Sequence, residues 1–315
     1  MLRRNLIRKS SAALVTLTVM LGVAEGVVRA FVPARNVGPS FTVFDAERGV
    51  ALKKNLECMR ITPEFTMTLS TNSLGQRGAE PSHHEAGGVL FLGDSFTLGY
   101  GVDDGQEFPA LVRDALSSHS GEVVPTWNTG VGGVGNGRWL KVLDNEALDW
   151  DPSVVVMQLC GNDFDDNWSE GLYSIAENGE LTSVSSERLP TLKRALQTFV
   201  EFVPGLSYSH LVCSFRGGRR RTQDDGVSVA QEGDELTWRI VEEAISKCQA
   251  RGQRVVLVTA AVGESRMERA NELGIPVLTV PLKSERPDLY YERDGHWNAL
   301  GHEYAAELLT RELLE

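Results

Sequence analysis

Apolar and polar positions alternate along this chain with two different periods, and the changes of period mark out its elements. Val89-Leu90-Phe91-Leu92 is a short apolar run ending at Gly93, as in a strand buried on both faces. Phe108, Leu111, Val112, Ala115 and Leu116 then recur at helical spacing and predict a helix from Phe108 to Leu116. Val123 and Val124 open a second strand running towards Asn128, and Gly135 to Leu148 follows as a helix. Ser153 to Leu159 is a third strand, Leu236 to Ala250 a helix, and Val255 to Thr259 a fourth strand. Ser265 to Leu273 is helical, Val277 to Val280 is a fifth strand, and Asn298 caps a last helix through Leu314. Strands alternating with helices predict an α/β fold with a parallel sheet covered on both faces.

Three segments break this rhythm. Residues 1–30 begin with Arg3, Arg4, Arg8 and Lys9 and continue as an apolar run from Ala12 to Ala24, interrupted only by Thr16 and Thr18. Basic residues before an apolar stretch direct it into a membrane with the N-terminus inside, and everything after Val28 is then exported. The run is shorter than the ~20 residues that span a bilayer comfortably, and continuing to Val28 places Glu25 near the interface. Gly22-Val23-Ala24 also fits a small-x-small cleavage site, so the domain is either membrane-anchored outside the cytoplasm or secreted. Residues 31–86, with Pro33, Pro39, Pro63 and Pro81, read as an irregular lead-in to a domain over 87–315. Within that domain, about 164–230 reads as an insertion over the sheet's carboxyl edge, helical and apolar from Leu189 to Phe215.

Composition narrows the function classes. The 315 residues are 42% hydrophobic and 23% charged, a globular mixture. A net charge of −12 repels phosphate backbones and argues against nucleic acid as a partner. The basic run Arg219-Arg220-Arg221 reads as a solvated loop. Cys58, Cys160, Cys213 and Cys248 are far apart, without zinc or redox spacing; in an exported domain one disulfide is compatible with them.

Three short pieces carry candidate chemistry, each directly after a strand or before a helix at one edge of the predicted sheet. Ser95, in Gly93-Asp94-Ser95, is delivered by the first strand to a turn before a helix; its bland role is to cap that helix. It does not sit in a G-x-S-x-G elbow, because Thr97 stands at the second glycine. Gly161-Asn162-Asp163 follows the third strand, where a side-chain amide can donate to an oxyanion. Asp294-Gly295-His296 precedes the last helix. A serine hydroxyl needs a base to take its proton, and that base needs an acid on its other ring nitrogen. Glu292 and Asp288 are alternative acids for His296. The chain order Ser, Asp, His is compatible with a triad.

These blocks resemble those of the SGNH (GDSL-like) serine ester hydrolases, over about residues 70–315. Asn128-Thr129-Gly130-Val131-Gly132-Gly133 resembles the family's glycine block, and Asn72-Ser73-Leu74-Gly75-Gln76-Arg77-Gly78 resembles lead-ins of membrane-tethered bacterial members. The resemblance implies a three-layer α/β/α fold with a flavodoxin-like parallel sheet. It implies Ser95 as nucleophile, His296 as base and Asp294 as the acid, with the Ser95 amide, the Gly133 amide and the Asn162 side chain as oxyanion hole. Many members place the aspartate three residues before the histidine, where this chain has Arg293. No metal or organic cofactor is implied. The expected substrates are small acyl esters, acetyl foremost, on envelope or extracellular glycans; an O-acyltransferase with the same site, or a binding protein with a relic site, are the alternatives.

Other patterns compete for the same residues. Gly130-x-Gly132-x-x-Gly135 matches a dinucleotide fingerprint, but on the second strand. Asp163, Asp165 and Asn167 imitate the start of a calcium loop, with Trp168 at the required glycine and Ser174 at the required glutamate. Trp168 and Tyr173 are candidates to flank a sugar or acyl group, with local packing the commoner role of such residues. His83, His84 and His302 read as surface histidines.

Overall fold

The computed structural model describes residues 2–80, 87–184, 199–200, 202–203, 205–216 and 227–315. The expected histidines His83 and His84, the Arg219–Arg221 run and much of the predicted 189–215 helix lie outside these residues. Two compact units are present: Met1–Ser40, Met59–Pro63 and Pro190–Thr222 form one, and Phe41–Cys58, Glu64–Leu189 and Gln223–Glu315 the other.

Along the chain, α1 (Leu2–Phe31) is followed by four short strands, β1 (Thr42–Asp45), β2 (Gly49–Leu52), β3 (Glu57–Ile61) and β4 (Thr66–Ser70). Next come β5 (Val89–Leu92), α2 (Ser95–Leu98), α3 (Phe108–Ser120), β6 (Thr126–Asn128), α4 (Gly137–Asp144), α5 (Glu146–Trp150) and β7 (Val154–Cys160). Then α6 (Asp163–Glu170), β8 (Tyr173–Ile175), β9 (Leu181–Ser183), α7 (His210–Arg216) and α8 (Val227–Ala250). The chain closes with β10 (Arg254–Ala260), α9 (Glu264–Asn271), β11 (Val277–Thr279) and α10 (Ala299–Leu314).

The larger unit is built on a parallel five-stranded sheet in the order β11-β10-β7-β5-β6. Counted from its first strand, this is the flavodoxin order, whose switch point lies beside the first strand. Alternation along the strands feeds two cores. Leu90, Leu92, Val155, Met157 and Leu257 meet Trp139 and Leu143 of α4 and Trp238, Val241 and Ala244 of α8 on one face. Val89, Phe91, Val156, Val256 and Val258 meet Phe108 and Val112 of α3 and Ala305 and Leu309 of α10 on the other. The result is the three-layer α/β/α arrangement that the resemblance implies. Each fully buried side chain of this kind contributes roughly 1.5–3 kcal/mol, which is what offsets the ordering of the backbone.

Several boundaries move for local reasons. The second strand starts at Thr126 rather than at Val123, which is 76% exposed. Pro125 has no amide for the ladder, although its carbonyl accepts from the Val89 amide at 2.9 Å. The helix expected over 135–148 is broken at Asn145, whose Nδ2 donates to the Lys141 carbonyl at 2.7 Å and competes with the backbone ladder. Residues 31–86, expected to be irregular, carry β1 to β4. Their alternation is real but only four or five residues long: Met67 and Leu69 of β4 are fully buried, against Leu52, Cys58, Leu98 and Val131. All four cysteines are free and buried, so the disulfide compatible with the sequence is not formed.

In the smaller unit, the stretch Lys9–Phe31 of α1 has 23 residues and a mean hydropathy of 1.8, long and apolar enough to cross a membrane or act as a signal sequence. Ala34, Val37 and Cys213 form a small core there.

Candidate active site

Ser95 is the first residue of α2, and Asp94 rather than Ser95 caps it: the Asp94 Oδ1 accepts from the Phe96 amide at 2.9 Å. The serine hydroxyl is thereby released from the capping role. Its Oγ lies 2.8 Å from His296 Nε2, and more distantly 3.5 Å from Asp94 Oδ2.

His296 comes from the loop before α10, which is stitched down by the Tyr291 amide donating to the His296 carbonyl at 3.0 Å and the Asn298 amide to the Leu289 carbonyl at 3.0 Å. Asn298 caps α10 as expected, accepting from the Gly301 amide at 3.1 Å. Gly295 has φ +90°, the left-handed region that glycine enters without strain, and this bends Asp294 back under the imidazole. The Asp294 Oδ1 contacts His296 Nδ1. Partial burial opposes ionisation of Asp294, but the hydrogen bond and charge of His296, with Lys283, hold its carboxyl below the usual range. Of the alternative acids, Asp288 grips Arg286 through both oxygens at 2.9 and 2.7 Å, and the two imidazole nitrogens are taken by Asp294 and Ser95 rather than by Glu292. Phe96 and Tyr100 flank the imidazole, with ring centroids at 5.2 and 4.9 Å.

The structure therefore brings Ser95, His296 and Asp294 together in one relay. Of the two remaining candidates, Gly133 lies in the loop after β6 with φ +71° and open space where a side chain would be. Its neighbour Gly132 abuts the serine: a Cβ added there would lie 3.4 Å from the Ser95 Cβ. Asn162 is exposed at the N-cap position of α6 without capping it, and its Nδ2 donates to Asp166 Oδ2 at 2.6 Å. An amide carries two N–H groups, so this bond orients the side chain without exhausting it.

Beneath the serine lies a polar layer that sequence reasoning missed. Asp94 and Asp163 are both buried, at 2% and 0% exposure. Asp163 Oδ2 accepts from the Cys160 amide at 2.7 Å and Asn136 Nδ2 at 2.8 Å, while its Oδ1 has no partner. Burial pushes Asp94 up to about 6, against the Phe96 amide and the His296 charge. Burial, and then the charge of Asp94, push Asp163 well above the ordinary carboxylate value. Gln158 Oε1 accepts from the Asp94 amide at 3.2 Å and the Thr97 hydroxyl at 3.1 Å. Arg77, 2% exposed, donates to the carbonyls of Leu98 and Gly99 at 3.0 and 2.6 Å and pairs with Asp104, pinning the exit of α2. Glu64 accepts from the Arg293 amide at 2.9 Å and the Asp294 amide at 2.6 Å, clamping the turn that carries the acid. Arg77 lay within a motif read from the sequence; nothing local marked Glu64.

The competing patterns resolve into packing. Gly135 abuts Asn167, where an added Cβ would lie 2.3 Å from Oδ1. Asp163, Asp165 and Asn167 stand on a helix rather than a loop, and Asn167 Nδ2 bonds Asn136 and Thr237 at 3.0 and 2.8 Å. Tyr173 is buried in the core, whereas Trp168 is exposed. His302 is not at the surface: it is fully buried, stacked on Phe108, with Nδ1 accepting from the Phe108 amide at 3.3 Å. Burial lowers it to about 3, so it is neutral.

A serine hydrogen-bonded to a histidine at the carboxyl edge of the first strand, beside the switch point of a doubly covered parallel sheet, defines an α/β fold with a candidate Ser-His-Asp site. The family follows from the sequence: the GDSL-like Lipase/Acylhydrolase family matches residues 91–308, and the chain belongs to it. No curated protein matches the chain. Among solved structures, it is similar to the psychrotrophic esterase EstA from Pseudoalteromonas sp., at 13% identity over 72% of this chain and 98% of that one, with a TM-score of 0.41. It is also similar to the lipase/acylhydrolase from Enterococcus faecalis, at 18% identity over 72% and 95% of the two chains and a TM-score of 0.39. A two-domain esterase (CEX) active on acetylated mannans matches at 14% identity over 72% of this chain and 48% of its own, with a TM-score of 0.44.

Proposed function

We propose that this protein is a membrane-anchored serine ester hydrolase that removes small acyl groups, acetyl foremost, from envelope or extracellular glycans. The observation that carries the chemistry is the position of His296, with Nε2 2.8 Å from Ser95 Oγ and Nδ1 on Asp294. Ser95 Oγ attacks the ester carbonyl carbon while His296 Nε2 takes its proton. Asp294 accepts the Nδ1 proton and stabilises the imidazolium. The Ser95 and Gly133 amides and the Asn162 side chain receive the oxyanion. His296 returns the proton to the leaving alcohol, and water, activated by the same imidazole, then releases the acid from the acyl-enzyme.

The location rests on Arg3, Arg4, Arg8 and Lys9 preceding the apolar part of α1, a charge pattern that supports export of the remainder of the chain. The choice of glycan esters rests on that location, where acylated glycans are among the esters within reach. Ser95→Ala and His296→Ala are each expected to lose ~10⁴–10⁶ in the rate of p-nitrophenyl acetate hydrolysis while remaining folded. Wild-type turnover in folded Ser95→Ala refutes the assignment. Release of acetate from O-acetylated polysaccharide tests the substrate. An alkaline phosphatase fusion after residue 60 is expected to be active, and an inactive fusion reverses the topology.

A further inference from the structure

Glu25 stands in the mostly apolar outer half of α1, and its carboxylate is fully engaged. It accepts from the Ser209 hydroxyl at 2.7 Å and from the amides of His210 and Leu211 at 2.9 Å each, and pairs with Arg29 at 3.2 Å. Two further bonds tie the same segments: the Ala34 amide donates to His210 Nδ1 at 3.1 Å, and the Gly38 amide to the Ser207 carbonyl at 3.0 Å. The start of α7 is therefore fixed to the anchor helix at the level of Glu25.

That level is set by the helix itself. At ~1.5 Å per residue, Glu25 lies ~24 Å beyond Lys9 and Phe31 ~33 Å beyond it. With Lys9 at the inner edge of a hydrocarbon core ~30 Å thick, Glu25 falls ~6 Å inside the outer edge of the core rather than in water. Residues 209–211 must share that depth. The surface around them suits it: Phe31 is 79% exposed, Phe202 83% and Phe199 58%, with Val32 and Tyr208 also exposed. Large apolar side chains at such exposure, beside a span that is itself 0% buried, continue its apolar surface outward.

We propose that Phe199, Phe202, Tyr208 and the start of α7 form a second membrane contact, seated in the outer leaflet beside α1 and held at that depth by Glu25. The occupant of this surface is lipid at the boundary of headgroups and acyl chains, where aromatic side chains are favoured. A carboxylate at this depth persists because a hydroxyl, two amides and Arg29 replace its water. The proposal rests on the uncleaved-anchor reading above, but not on the esterase chemistry.

The test uses the full chain reconstituted in phosphatidylcholine–phosphatidylglycerol vesicles. An NBD fluorophore is placed on Phe202→Cys or, as reference, on Ser174→Cys, an exposed position in β8. The four native cysteines are buried, and wild type serves as the labelling control. Doxyl groups near the lipid headgroups are expected to quench the label at 202 at least twofold more than the label at 174. Glu25→Ala is expected to remove at least half of that quenching. A label at 202 quenched by aqueous iodide and not by lipid overturns the proposal, as does a blue-shifted label reached by neither quencher, which marks a protein partner. Alkaline carbonate separates the two readings. Protein that stays in the membrane with an aqueous label at 202 refutes the outer-leaflet contact alone. Protein that is extracted, with the same label, refutes the anchor as well.

Discussion

Asp294→Asn tests the relay at its most specific point. The substitution is nearly isosteric and leaves the turn intact, because Glu64 holds the backbone amides of Arg293 and Asp294 rather than the side chain. Two things change at His296. The amide nitrogen of asparagine, placed at Nδ1, favours the tautomer that carries its proton on Nε2, which then cannot accept from Ser95. The imidazolium formed on attack also loses its counter-charge. At ~4 Å and an effective dielectric of ~20, that charge pair is worth about 4 kcal/mol. The two side chains are each 25% exposed, so solvent screening trims the figure. At 1.36 kcal/mol per decade, a loss of roughly 10²–10³ in turnover is expected. The assay is hydrolysis of p-nitrophenyl acetate under saturating and limiting substrate, with thermal melting as the control for folding. The drop should fall on kcat, with KM changed little. Asp288→Asn and Glu292→Gln should retain activity, since neither carboxylate reaches the imidazole. Turnover within threefold of wild type in Asp294→Asn, with loss in either of the others, refutes the assignment of the acid.

Asn162→Ala should lower kcat by roughly 10²–10³, as for one oxyanion donor, and a change confined to KM would make Asn162 a substrate contact instead. Asp94→Asn should change the pH dependence of stability. The folded protein binds the Asp94 proton more tightly than the unfolded chain, about 6 against 3.8, so this residue's contribution is favourable below about 4, declines as pH rises through 6 and is flat above. Asparagine can still accept from the Phe96 amide, so stability relative to wild type should rise by roughly 2 kcal/mol between pH 4 and pH 8 in urea melts. A difference that does not vary with pH would show that Asp94 is not titrating in this range.

The sheet was legible in the sequence because parallel strands buried on both faces are short continuous apolar runs bounded by turn residues. Val154–Cys160 and Arg254–Ala260 sit at the centre of the sheet, and their ends were read nearly to the residue. The lead-in strands were missed for the opposite reason. β3 and β4 bury only every second residue over five positions, and Thr66, Thr68, Glu57 and Met59 dilute that signal. His302 was misread because isolated polar residues inside an amphipathic helix look alike whether they face water or core. Only the tertiary partner, the Phe108 amide 194 positions away, makes its burial affordable.

The relay itself was readable because each of its parts follows a strand end or precedes a helix, where the chain must turn and side chains emerge at one edge. What could not be read is how the serine is held. Asp94 and Asp163 look like the polar punctuation of two turns, yet both carboxyls are withdrawn from water beneath Ser95. Two buried like charges at one point are costly, and their raised proton affinities are the physical sign that they do not both ionise freely. Their bonds explain why that cost is tolerated. Asp94 fixes the amide of Phe96, one residue after the nucleophile, and Asp163 fixes both the end of β7 and the Asn136 side chain before α4. Asp163 thus ties the turn bearing Asn162 to the loop that follows Gly133, while Asp94 stiffens the turn bearing Ser95 from within. Such rigidity suits the oxyanion role proposed for these turns, since donors that must reorganise during the reaction contribute less.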